Sequence, residues 1–189
     1  MILSVVLNVL NAALVLGSVV SGLRKSDPKR SLFYFFTTLS NVLCALASLA
    51  VATAWASGGL PFGVLLLKYA GTAAVSVTML TVLFFLGPTT KEWKLLLSGE
   101  QLLLHLVCPL LAIVSFLFFE KTAMPAWTIA VGTAPVVLYG ILYWYKVVHV
   151  PAPRGWNDFY GFNRNGKWPV SVGAMILAAA LIAFLLWLV

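Results

Sequence analysis

"MILSVVLNVLNAALVLGSVVSGLRKSDPKR", residues 1–30, opens with about twenty apolar positions and no charge, then places four basic residues within seven. At ~1.5 Å per residue, a helix of that length matches the ~30 Å thickness of a bilayer's hydrocarbon core. Lys and Arg collect where such a span meets water and headgroups, so the stretch reads as a membrane helix and its stop. No basic segment precedes the apolar run and the positive charges follow it, which argues against a cleaved signal peptide.

The same pattern recurs along the chain. Apolar spans are expected at about 1–22, 32–57, 62–86, 101–119, 126–148 and 170–189. The 189 residues are 62% hydrophobic and 9% charged, whereas soluble domains carry roughly 25% charged residues. The expected fold is therefore all-α, a single polytopic bundle of six transmembrane helices. The net charge of +7 does not point to nucleic acid, because the basic residues sit at the ends of spans. Their partners there are membrane lipids.

Lys and Arg also set the expected orientation. The first, third and fifth loops hold Arg24, Lys25, Lys29, Arg30, Lys91, Lys94, Arg154, Arg164 and Lys167, while the second and fourth hold Lys121. By the positive-inside rule the odd loops are cytoplasmic and both termini lie outside. The absence of an internal repeat argues against an inverted-repeat transporter. Cys44 and Cys108 both fall inside spans, where they read as small buried hydrophobes rather than a disulfide framework.

Polar residues inside the spans carry the functional information. In the second span Thr37, Asn41, Cys44 and Ser48 are spaced by four, three and four residues, which puts them on one helical face with Ser40 beside it. Thr38 points about 100° away from Thr37. In the fourth span, "QLLLHLVCPLL" sets His105 one turn before Pro109, which should free the His105 carbonyl and permit a kink. With the second span starting near Leu32 and the fourth near Gln101, Thr37 and His105 lie about 8 and 6 Å deep, in one layer.

Thr81, Tyr139 and Tyr143 descend to the same side. So does the polar loop at 151–169, with His149 just before it and Asp158 within it. A hydroxyl beside an imidazole is the minimal equipment for acyl transfer, with Asn41 as a candidate oxyanion donor. Asp158, the sole acid in that loop, is a candidate to orient the imidazole. Two His without close His or Cys spacing argue against a metal site, and no cofactor is expected. Lys68, about six residues into the third span from the outer side, is open to two readings: it snorkels to the outer headgroups, or, in a binder or transporter, it serves as an anion contact or proton partner. The loop aromatics Trp156, Phe159, Tyr160, Phe162 and Trp168 are open to two readings, an interfacial belt or a lid.

The pairing of "FFTTLSN" in the second span with "HLVCP" in the fourth resembles the androgen-induced-gene family of intramembrane threonine hydrolases. Their eukaryotic members cleave fatty acid esters of hydroxy fatty acids, and bacterial integral membrane proteins are grouped with them. The resemblance implies six spans, Thr37 as nucleophile, His105 as base and a lipid-like ester substrate. Thr38 is the alternative nucleophile if the register shifts by one. It also implies a bacterial inner (plasma) membrane protein. In place of the family's aromatic-proline stretch after the fifth span, this chain reads "HVPAPRGWNDFYGFNRNGKWP". Two further readings of the same polar residues stay open. One is a non-enzymatic lipid or amphiphile binder or transporter, and the other a structural protein whose polar groups only pack helices.

Overall fold

A computed structural model describes residues 1–25, 31–163 and 166–189. Lys29, Arg30 and Arg164, counted above among the loop charges, lie outside the described residues. Six helices are long and apolar enough to cross a membrane: α1 (Ile2–Lys25), α2 (Phe36–Ala56), α3 (Phe62–Thr90), α4 (Gly99–Glu120), α5 (Thr128–His149) and α6 (Trp168–Leu188). The chain is an all-α integral membrane bundle. Outward faces carry Leu, Val and Phe, as contact with hydrocarbon requires.

The central element is α3. Every residue from Lys68 to Met79 is buried, because α2, α4, α5 and α6 all pack against this helix. Gly71 sets the closest approach, since a Cβ there would lie 2.9 Å from the Cys44 Cα of α2. Small residues at such crossings let backbones meet where no hydrophobic drive separates helix from lipid. On the other side of α2 lies α1, which in turn touches α4.

The helix ends shift by a few residues from the sequence expectation, and three of these shifts bear on the polar residues. The second span does not start near Leu32. Residues Leu32–Tyr34 form a separate 3₁₀ turn, Phe35 is extended (φ −92°, ψ 134°), and α2 begins at Phe36. Thr37 is therefore the second residue of its helix rather than five residues deep. The fourth span extends to Glu120, one residue past its expected end, and the third continues to Thr90.

Pro109 does not break α4. The helix widens to a π turn over Leu103–Val107, so that the Cys108 N–H bonds Leu103 O, five residues back. In that register the next carbonyl, Leu104, would face Pro109, which has no N–H. The freed acceptor is thus Leu104 O rather than the His105 carbonyl anticipated from an undisturbed α-helix.

Candidate functional site

Alternation of the six helices brings the start of α2, the end of α3 and the start of α4 to one end of the bundle. There Thr37 Oγ1 lies 3.5 Å from His105 Nε2, at the outer limit of a hydrogen bond. His105 is 6% exposed. Its other nitrogen, Nδ1, lies 2.7 Å from Leu96 O. A carbonyl can only accept, so Nδ1 carries a proton, and when the ring is neutral its Nε2 lone pair faces the Thr37 hydroxyl. Leu96 belongs to the one-turn helix Trp93–Leu96 that links α3 to α4. The base is thus oriented by a backbone carbonyl in a loop.

Asp158 does not fill that role. Its carboxylate accepts from the Tyr143 hydroxyl (2.9 Å), Phe162 N (2.9 Å) and Asn163 N (2.8 Å). Tyr143 is fully buried, and its hydroxyl oxygen also accepts from Tyr160 N. Both residues hold the polar loop in place and neither meets His105.

Asn41 is likewise committed. Its amide donates to Thr37 O (2.8 Å) and to Leu104 O (3.0 Å), the carbonyl that Pro109 leaves without a helical donor. With both N–H bonds spent on backbone, Asn41 clamps α2 to the π turn of α4 and positions Thr37 against His105. It is not free to donate to an oxyanion. Ser40 bonds Thr37 O and the Thr78 hydroxyl, tying α2 to α3. Thr38 is buried with its side chain on a cavity wall.

The run "FYFF" that precedes Thr37 packs against the polar loop. Tyr34 packs tilted against Trp156 and Phe35 against Phe159, both at 4.8 Å between ring centroids. Tyr139 donates to Tyr34 O, and the Tyr160 hydroxyl accepts the Phe36 N–H at the start of α2. Burial pushes the Tyr160 phenol up from its ordinary value, so it is a neutral hydroxyl at physiological pH. The loop aromatics gather around Tyr143 and are half-buried. They cover this end of the bundle rather than standing outward as a separate belt.

Two cavities meet at Thr37. One, of about 740 Å³, is a vestibule between α1, the starts of α2 and α4, and the polar loop, lined also by Ser18, Thr38, Gln101 and His105. The other, of about 50 Å³, is an apolar slot among α2, α3, α5 and α6, lined by Val82, Leu86, Val136, Gly140, Met175 and Ile176. Thr37 belongs to both walls.

A second polar cluster lies toward the opposite end. Lys68 does not snorkel outward: its side chain is wholly buried, with Nζ 2.7 Å from Asn8 Oδ1, 3.2 Å from Ser48 Oγ and 3.8 Å from Glu120 Oε2. Oε1 of Glu120 accepts from Ser4 at 2.9 Å and from close contacts with Asn8 and Ser115. Asn11 reaches Ser48 and the Cys44 sulfur. The signal for this cluster was present in α1, where Ser4, Asn8, Asn11 and Ser18 recur at helical spacing on one buried face. Among the described residues no group of three or more His, Cys, Asp or Glu is placed to hold a metal ion. No protein-family model, curated protein or solved structure matches the chain.

Proposed function

We propose that the chain is an intramembrane hydrolase of a fatty-acid ester, with Thr37 as nucleophile and His105 as general base. The observation that carries this reading is the Thr37–His105 contact, with Leu96 O fixing the ring so that the basic nitrogen meets the hydroxyl. Its place where a vestibule of mixed polar and apolar lining meets an apolar slot supports a substrate that is part lipid. A 3.5 Å separation suits an unliganded site, whose catalytic hydrogen bonds tighten on binding.

In the first step Thr37 Oγ1 attacks the acyl carbon while its proton passes to His105 Nε2. The tetrahedral oxyanion collapses, the C–O bond to the leaving alcohol breaks, and that oxygen takes the proton from His105. Water, deprotonated by His105, then attacks the acyl-threonine. The fatty acid departs and Thr37 recovers its hydroxyl. Among the first N–H groups of α2, Phe36 is engaged by Tyr160, and Thr38 and Leu39 by Phe35 O. The Thr37 N–H, in the first turn and without an intrahelical partner by position, is the donor left to the oxyanion. The helix dipole adds to it.

The charge bias of the loops supports a cytoplasmic location for this end of the bundle, and the resemblance to bacterial integral membrane proteins implies an inner membrane. The experiment is fluorophosphonate labelling of the purified protein. Thr37→Ala and His105→Ala should each abolish labelling, and Thr38→Ala should retain it. Equal labelling of Thr37→Ala and the parent protein overturns the hydrolase. The size of the vestibule favours, as a second reading, a non-enzymatic amphiphile binder or transporter. That reading requires a saturable lipid site without covalent labelling.

A further inference from the structure

We infer that Trp93, seated on Gly87, is a positioning residue that holds the Leu96 carbonyl against His105 and so fixes which imidazole nitrogen carries the proton. Its catalytic consequence rests on the hydrolase reading. It goes beyond that reading by giving a role to two residues outside the Thr37–His105 pair.

The linker between α3 and α4 leaves a carbonyl available to the base. α3 ends at Thr90, and Lys91 caps it in the left-handed conformation (φ 59°, ψ 14°), with its N–H on Gly87 O at 2.8 Å. That cap turns the chain back on itself. Trp93–Leu96 then makes one helical turn, closed by Leu97 N on Trp93 O at 2.8 Å, and Leu97 leaves helical geometry (φ −127°, ψ 42°). Carbonyls of a last turn have no onward helical donor. Leu96 O therefore meets His105 Nδ1, 2.7 Å away.

A turn this short needs an anchor, because residues 91–95 are all exposed and an isolated helical turn does not hold its own shape. Trp93 supplies it. A Cβ at Gly87 would lie 2.2 Å from Trp93 Cη2, 2.3 Å from Cζ3 and 2.7 Å from Cζ2. The outer edge of the indole thus fills the space that any side chain at position 87 would take. Gly87 itself is buried and has ordinary helical dihedrals (φ −57°, ψ −53°). The backbone does not call for glycine there, and glycine weakens a helix; what it makes room for is the indole. Trp93 opens the helical turn and Leu96 closes it, so the seat of the ring sets the place of the carbonyl.

The test reads the imidazole directly. His105 and His149 are the two histidines of the chain. Protein labelled with nitrogen-15 histidine, carrying His149→Gln so that one ring remains, is measured by NMR in micelles at about pH 8.5, where an imidazole is neutral. The parent should show the Nδ1–H tautomer. Gly87→Ala should displace the indole rather than the helix, since the ring is the far end of an exposed side chain. It should populate both tautomers and slow Thr37-dependent fluorophosphonate labelling about tenfold or more. Trp93→Ala, which adds no bulk, should give the same mixture. Gly71→Ala, a tight substitution at the distant α2–α3 crossing, should move neither readout.

An unmixed Nδ1–H tautomer in Gly87→Ala or Trp93→Ala, or the same mixture in Gly71→Ala, would overturn the inference while leaving the hydrolase standing. The expected tautomers without any Thr37-dependent labelling would uphold the positioning of His105 and remove the hydrolase.

Discussion

Lys68 and Glu120 offer the sharpest test of how this bundle is held together. Both side chains are fully buried, with Nζ and Oε2 3.8 Å apart. At that distance and an effective dielectric of about 20, Coulomb attraction is about 4 kcal/mol. The net value of the intact pair is smaller, because desolvation offsets much of it. Removing one partner differs: it strands a charge in a dry site, at a cost of about 3–5 kcal/mol.

Lys68→Met and Glu120→Gln should therefore each destabilise the protein by about 3–5 kcal/mol. The double variant should cost less than the sum by about 2 kcal/mol or more, since neither charge remains. Glutamine keeps an acceptor for Ser4, which now bonds Glu120 Oε1. Equilibrium unfolding in mixed micelles, titrated with a denaturing detergent and followed by tryptophan fluorescence, measures all four corners of the cycle. Strict additivity, or a single-variant cost under about 1 kcal/mol, would refute the reasoning and show that the pair is not coupled as charges.

Three further outcomes follow from individual contacts. Asn41→Leu removes the clamp on Leu104 O. It should destabilise by about 1–3 kcal/mol and lower kcat about tenfold while fluorophosphonate labelling persists, whereas loss of a true oxyanion donor would cost about 100-fold or more. Tyr143→Phe leaves Tyr160 N and Asp158 each short of one bond, so amide exchange at Tyr160 should quicken about tenfold, read by hydrogen–deuterium exchange. Gly71→Ala forces a Cβ to within 2.9 Å of Cys44 Cα, and should cost about 1–3 kcal/mol in the same micelle titration.

Much of this architecture was legible in the residues. A bilayer imposes a length on every span, and its oily core leaves the backbone few choices besides helix, so six apolar stretches translate directly into six helices. Depth along a span is also one-dimensional information. It was enough to put Thr37 and His105 in one layer, although the break at Phe35 moved the start of α2.

What a one-dimensional pattern lacks is the rotation of each helix about its axis and the identity of the face opposite. Spacing placed Thr37 and Asn41 on one face of α2. Only the packed bundle showed that the Asn41 amide is spent on Leu104 O, because that carbonyl lies in a π turn just ahead of Pro109 on another helix. Asp158 was one residue choosing among many partners in a long loop, and Tyr143 and nearby backbone amides took it. Lys68 read as a cation near a membrane surface. It became half of a buried pair because Glu120, at the far end of α4, and Asn8, on α1, converge on it in three dimensions. Length and period are properties of a single helix, whereas desolvation and pairing belong to what surrounds it, and that is decided only when the helices pack.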